Sequence, residues 1–190
     1  MDQRLLAVAV ELLDEEGWNA LSLDRIAERA GVSRATVWRH GLTRASVESV
    51  LRERLARDYR DALWEPLTMS GSGRDRLAAA LTALCGVAER NLPLLAHTDE
   101  AFHGPDLDAA GIQLDYFGPW FRILEAGAAD GSLDPVEDQE RFVVALTNVV
   151  LLTYVHLRAL HGEYGWDAAG TTSSLLELVA RGYLPRSTGA

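Results

Sequence analysis

A short run, Arg34-Ala35-Thr36-Val37-Trp38-Arg39-His40, holds the side chains in this sequence best suited to recognition chemistry. An arginine can grip a guanine edge with two hydrogen bonds, and threonine or alanine can touch a thymine methyl. At helical spacing, Arg34, Thr36, Trp38, Arg39 and His40 are set as the exposed members, with Ala35 or Val37 as the buried ones. Other candidates are weaker. His97 and His103, with Asp99 and Glu100, suggest a metal site, but a spacing of six does not put two ligands on one helix face. His156 and His161 are five apart and fit as poorly. Ser70-Gly71-Ser72-Gly73 has no preceding strand and no lysine, so it is neither a nucleophile elbow nor a phosphate loop. No nucleophile–base pairing stands out, so no catalytic residue, metal or cofactor is expected.

The elements that must position that run are helical. Strict alternation is absent, and apolar residues recur at helical intervals. Leu5, Leu6, Ala9, Val10, Leu12 and Leu13 predict a helix over about 3–16, stopped by Gly17. Ser22 can cap a second helix over about 23–30, with Leu23, Ile26, Ala27 and Ala30 on its apolar face. Gly31 and Val32 then turn the chain, and Ser33 can cap a third helix over about 34–40. Two short helices around such a turn form a helix-turn-helix pattern. Thr43 can cap a long helix over about 44–66, with Pro66 at its end. Further helices are expected over about 74–91, 93–102 and 106–129, the last kinked at Gly118-Pro119. Asp134-Pro135-Val136-Glu137 reads as the start of a helix over about 135–161, and a final helix covers about 168–183. The fold class is all-α with about nine helices.

Charge divides along the chain. The 190 residues carry 18 basic and 28 acidic side chains, for a formal net charge of −10. Every basic residue is arginine. Residues 1–60 balance ten Arg against ten Asp or Glu, so the whole excess lies beyond residue 60. Within 25–60, nine Arg face only Glu28, Glu48, Glu53 and Asp58, a local +5 over the helix-turn-helix. The single cysteine, Cys85, rules out an internal disulfide and a cysteine-based zinc site. Residues 1–15 lack the basic start and apolar run of a signal peptide, and the apolar stretch Phe142–Leu157 reads as too short and too interrupted for a bilayer span. A cytoplasmic protein is expected.

The segment from Ser22 to His40, with Ile26-Ala27, Ala30-Gly31-Val32-Ser33 and Thr36-Val37-Trp38, resembles the DNA-binding domain of TetR-family bacterial transcription regulators. The motif resemblance covers about residues 5–55; beyond it only length and helical layout agree. Trp38 stands where the family usually has tyrosine. Gly41 stands where a phenylalanine commonly packs, and Leu42 is the residue able to replace that volume. The resemblance implies a DNA-binding domain over residues 1–45, connected by the fourth helix to a ligand-binding and dimerisation domain over 46–190. It implies that Arg34, Ala35, Thr36 and Arg39 face base edges, and that Ser22, Ser33, Trp38, His40 and Arg44 contact phosphate.

It also implies a homodimer through the last two long helices and a palindromic DNA operator as partner. Effector contacts are expected around the helix holding Pro119: Tyr116, Phe117, Trp120 and Phe121, faced by Cys85, Phe102, Asn148 and Leu152. Such a pocket is largely apolar. The acidic surround, including Asp106, Asp108 and Asp115, favours a neutral or cationic small molecule. The expected function is a ligand-responsive regulator, a repressor released from its operator by the effector. The alternative is a helical small-molecule-binding protein or enzyme with a vestigial DNA-binding domain.

Overall fold

The computed structural model describes residues 2–17, 19, 21–96, 115–161 and 164–181, with the side chains of Arg44 and Leu160 outside that description. Among the described residues there are nine helices and no strand: α1 (Gln3–Glu16), α2 (Leu23–Ala30), α3 (Arg34–Arg39), α4 (Arg44–Thr68), α5 (Gly73–Arg90), α6 (Leu92–Leu95), α7 (Gly118–Asp130), α8 (Gln139–Leu160) and α9 (Ala168–Arg181). The chain divides into two compact units. One comprises residues 1–58 and 91–114, the other 59–90 and 115–190. Helix α4 contributes to both.

In the first unit each short helix is set by its caps. The Asp2 carboxylate accepts from the N–H groups of Arg4 and Leu5, and the Gly17 N–H closes α1 on the Leu13 carbonyl. Ser22 caps α2 through the Arg25 N–H. Gly31 follows in the left-handed conformation, φ +68°, which a residue without Cβ adopts at little cost. The Val32 N–H returns to the Ala27 carbonyl at 3.0 Å, fixing the angle between α2 and α3. Leu5, Ala9, Leu12 and Leu13 of α1, Ile26, Ala27 and Ala30 of α2, and Val37 of α3 bury together. Of the two inward candidates on α3, Val37 is the buried one; Ala35 is exposed. Gly41, φ +69°, ends α3, and Leu42 is 2% exposed, so the apolar volume that Gly41 lacks is supplied by its neighbour. Thr43 and Ser46 cap α4 reciprocally, each side-chain oxygen accepting the other's backbone N–H.

The second unit is built on α5. Leu77, Ala80, Leu81, Leu84, Cys85, Val87 and Ala88 of α5 meet Trp120, Ile123 and Leu124 of α7 and Val143, Val150 and Tyr154 of α8 in one core. Helices α5 and α7 approach closely at glycines: a Cβ on Gly73 would lie 2.1 Å from the Gly127 Cα. The Gly73 N–H donates to Asp130 at 2.7 Å, anchoring the start of α5. At the other end Glu89 accepts from Arg158 and from the Tyr154 hydroxyl, tying α5 to α8. Arg158 also donates to the Trp166 carbonyl ahead of α9.

Four sequence expectations change. Pro66 does not end α4, which continues to Thr68 because a proline in the last turn forfeits only one bond, to the Ala62 carbonyl. Pro119 does not kink a helix; it occupies the first turn of α7, where its missing N–H is no loss. The stretch 93–102 contains α6, and residues 97–114 lie outside the described residues. Helix α8 is capped by Asp138, whose carboxylate accepts from the Arg141 N–H at 3.0 Å, rather than by Asp134. The buried stripe of α8 begins at Val143, so an earlier start at Pro135 would extend the helix with no apolar face to bury. Helix α8 is shorter than the expected 135–161, but its apolar run outlasts the Phe142–Leu157 stretch that reads as too short for a bilayer span. Residues 139–159 are sufficient by length and composition to cross a membrane; the most apolar 18-residue window within them has mean hydropathy 1.6 and is only 28% buried.

Candidate nucleic-acid interface

The sequence-predicted DNA contacts gather on the exposed side of α2, the turn and α3, while the opposite side of the same helices is core. Ser22, Ser33, Arg34, Ala35, Arg39 and His40 are exposed, Thr36 is half-buried, and Trp38 is 73% exposed. An indole left that open adds little to the domain's own core. Ser33 caps α3 through the Thr36 N–H, and its hydroxyl also meets the Thr36 hydroxyl at 2.9 Å. Arg39 donates to Thr36 Oγ1 at 3.2 Å and to the Ala35 carbonyl, so Thr36 and Arg39 form one polar cluster. His40 Nδ1 lies 3.8 Å from Asp2. The Arg44 side chain lies outside the described residues.

The charge on this surface is more restrained than the local count of +5 suggests. Arg25 bridges Glu16 and Glu28 at 2.7 and 2.9 Å, and Arg29 bridges Glu15 and Glu16 at 2.8 and 2.9 Å. The Arg25 guanidinium beside Glu16 holds that carboxyl below the usual range, opposed by partial desolvation. Arg54 pairs with Asp14 at 3.3 Å. Arg34, the first residue of α3, rests on Asp24 of α2 with Nη1 3.0 and 3.2 Å from the two carboxylate oxygens. Arg39 has no carboxylate within 4.0 Å among the described residues. Sequence reasoning missed these acidic partners. Asp14, Glu15, Glu16 and Asp24 all precede residue 25, and tertiary packing brings them in: Glu15 and Glu16 of α1 onto α2, Asp14 onto α4, and Asp24 of α2 onto α3.

The expected effector residues that are described fall in the second unit, on α5, α7, α8 and the approach to α7. Tyr116, Phe117 and Phe121 form a half-buried aromatic row: Tyr116 meets Phe117 edge-on at 5.2 Å, and Phe117 stacks with Phe121 at 5.7 Å. Trp120 is fully buried and donates its indole N–H to the Tyr59 hydroxyl at 2.6 Å. Tyr59 in turn donates to the Tyr116 carbonyl at 2.8 Å, and the two phenol rings stack 5.0 Å apart. The Tyr116 hydroxyl reaches Thr147, which donates to the Val143 carbonyl. Burial pushes both phenols above their ordinary pKa, so they act as neutral hydrogen-bonding groups. Tyr59 and Thr147 were missed as members of this network. Tyr59 reads in sequence as one apolar position on α4, and Thr147 as an interruption of an apolar run.

Cys85 is buried, and desolvation pushes its thiol up to about 11. Asn148 is half-buried beside Thr147. Leu152 does not join the aromatic row's core; it is 41% exposed on the open side of α8, where the helix has no cover within one chain. Phe102, His97, Asp99, Glu100 and His103 lie outside the described residues. A half-open groove of about 820 Å³ lies elsewhere in the unit, lined by Arg74, Leu77, Leu81, Leu133, Asp134, Leu176, Val179 and Arg181 among others. None of the expected effector residues lines it.

Residues 5–40 match the family described as bacterial regulatory proteins, tetR family. No curated protein matches the chain. Solved structures share the fold. A transcriptional regulator of the TetR/AcrR family from Thermobifida fusca is 21% identical with a TM-score of 0.66, over 97% of this chain and 100% of that one. The regulator FadR from Bacillus subtilis, in complex with stearoyl-CoA, is 18% identical with a TM-score of 0.67, over 96% and 99%. Thermus thermophilus FadR, a repressor in complex with lauroyl-CoA, is 22% identical with a TM-score of 0.60, over 99% and 97%. The match falls on α1, α2 and α3, the elements that present Arg34, Thr36 and Arg39, so it is this amino-terminal segment that is similar to the tetR family of bacterial regulatory proteins, while over its length the chain shares the fold of the solved regulators.

Proposed function

We propose that this chain is an effector-responsive transcription regulator that binds a palindromic DNA operator as a homodimer and represses until a small molecule releases it. The observation that carries the reading is the outer side of α3. Arg34, Ala35, Thr36 and Arg39 are presented together above a buried Val37, with the helix held at a fixed angle by the Gly31–Val32 turn. Those residue types read base edges in a major groove. Ser22, Ser33, Trp38, His40 and Arg44 would contact phosphate. The partition is a DNA-binding part over residues 1–45 and an effector and dimer part over 46–190, joined by the continuous helix α4.

The dimer rests on α8 and α9. Phe142, Val149 and Leu152 of α8 are 39, 53 and 41% exposed, and Leu178 of α9 is 50% exposed. Large apolar side chains left open along two neighbouring helices are what a two-fold four-helix contact would cover. Two copies would present two α3 helices about one DNA turn, ~34–36 Å, apart. The effector site is the aromatic row Tyr116, Phe117 and Phe121, with Trp120, Cys85 and Asn148 from the same unit. A largely apolar ligand suits it, and the acyl-CoA complexes of two fold relatives favour an apolar tail. By linkage, operator and effector must weaken each other by the same factor. The cellular location of this regulator is the cytoplasm, and the reading assigns it no catalytic step.

The test is a fluorescence-anisotropy titration against duplex fragments from the region upstream of the protein's own gene. The expected result is one fragment bound specifically by a dimer and released by an apolar small molecule. Absence of specific binding to every fragment at low salt, or a solution mass near 20.8 kDa at micromolar concentration, would sink the reading.

A further inference from the structure

The two histidines at the end of α8 come together in a way their spacing conceals. Five residues apart on an unbroken helix, two side chains point about 140° away from each other around the axis. Helix α8 stops at Leu160, however, and His161 leaves the helical path at φ −123°, ψ 18°, its N–H still bonded to the Leu157 carbonyl at 3.2 Å. Its ring therefore folds back along the last turn. The Nε2 atoms of His156 and His161 lie 3.1 Å apart, with ring centroids 4.8 Å apart and planes at 64°. Tyr164 packs on the far side of His161, centroid to centroid 5.5 Å.

We propose that His156 and His161 form a two-imidazole chelating site for a divalent late first-row transition ion. Without metal, one imidazole donates its Nε2–H to the other. When the donor ring shifts to its other neutral tautomer, releasing the Nε2 proton to solvent and taking one up at Nδ1, two Nε2 lone pairs face one point. With metal–nitrogen bonds of about 2.05 Å, a separation of 3.1 Å corresponds to an N–metal–N angle of about 98°, between octahedral and tetrahedral values. Each ring must turn by about 40° from the hydrogen-bonded arrangement to aim at the ion, and His156 is exposed and free to do so. Among the described residues no third His, Cys, Asp or Glu joins the pair, so water completes the coordination. Imidazole donors select zinc, copper and nickel over magnesium or calcium. Binding would lock the segment after α8 onto its last turn, stabilising the folded chain by mass action. The site lies within one chain and stands whether or not the protein binds DNA.

The test is isothermal titration of the metal-stripped full chain with zinc, and separately with copper, at about pH 7.5. The expected result is one ion per chain, copper tighter than zinc, with a copper EPR spectrum showing two nitrogen ligands. His156→Ala and His161→Ala should each weaken binding at least about ten-fold, while His40→Ala leaves it unchanged and circular dichroism shows all variants folded. Binding that survives both substitutions, or no heat at about 1 mM zinc, overturns the proposal.

Discussion

Replacing Arg34 by alanine tests the base-contact reading most directly, because the structure supplies both what is gained and what must first be given up. In the free chain the Arg34 guanidinium is held by Asp24, with Nη1 3.0 and 3.2 Å from its oxygens. Both side chains are 66% exposed, so this pair is worth only about 0.2–1 kcal/mol. A bidentate arginine–guanine contact is worth about 1–3 kcal/mol of discrimination. The exchange therefore favours DNA. Arg34→Ala should cost about 1–2 kcal/mol per half-site, or roughly 5- to 30-fold, and that factor squared for a symmetric dimer. Asp24→Asn should act in the opposite direction, tightening operator binding by up to about five-fold per half-site, since it removes the competitor and one negative charge near the DNA. In the Arg34→Ala background the same Asp24→Asn change should do less, the difference being the energy of the pair. The assay is anisotropy on a labelled operator at several salt concentrations. An Arg34→Ala affinity within two-fold of the parent would refute the contact. Weaker binding by Asp24→Asn would show that Asp24 aims Arg34 instead of competing for it.

Tyr59→Phe should destabilise the fold by about 1–3 kcal/mol in urea unfolding, because the fully buried Trp120 indole N–H loses its acceptor; an unchanged midpoint would mean that water or a rearrangement replaces it. Gly127→Ala should lower stability by about 1–3 kcal/mol in thermal melts, since its Cβ would fall 2.4 Å from Leu133 Cδ1, and Gly73→Ala should be worse because the obstacle there is the Gly127 backbone. Cys85, its thiol held at about 11 against an ordinary 9.0, should react with a thiol reagent at mildly alkaline pH about 100-fold more slowly than the unfolded chain; equal rates would contradict its burial. Operator affinity should fall with salt on a shallow log–log slope, of magnitude below about 5, and a slope near 9 would show far more phosphate contacts than this surface offers.

The amino-terminal fold was legible because its determinants are local. Ser22, Gly31, Ser33 and Thr43 each fix a helix boundary by a bond spanning no more than five residues, and both ends of α2 and the starts of α3 and α4 coincide with those markers. The start of α8 was misread because two adjacent caps, Asp134 and Asp138, have equal local merit. Tertiary burial beginning at Val143 decides between them. Pro119 was misread for a related reason: a proline within an apolar pattern marks either a kink or a first turn, and only the preceding backbone distinguishes the two. The His156–His161 pair was invisible because its geometry depends on where α8 stops, a boundary uncertain by more than the displacement that matters.

The charge pattern carries an argument about selectivity that neither the total nor the local count contains. A net −10 chain should avoid DNA, and a window at +5 should seek it. The structure resolves these by committing both arginines of α2 and one of α4 to acidic partners. Arg25 and Arg29 are spent on Glu15, Glu16 and Glu28, where they brace α2 against α1, and Arg54 is spent on Asp14. Arginine suits this task because its planar fork bridges two carboxylates at once, which a lysine ammonium does not do as well. Of the four arginines on α2 and α3, those that stay available are Arg34, held by one exposed carboxylate, and Arg39, held by a hydroxyl and a carbonyl. Non-specific attraction to phosphate, which needs many free charges, is thereby kept low. Base reading, which needs two well-placed guanidinium groups on a rigid helix, is preserved. An acidic body and a mostly neutralised domain thus favour the correct sequence by making every other sequence a poor partner.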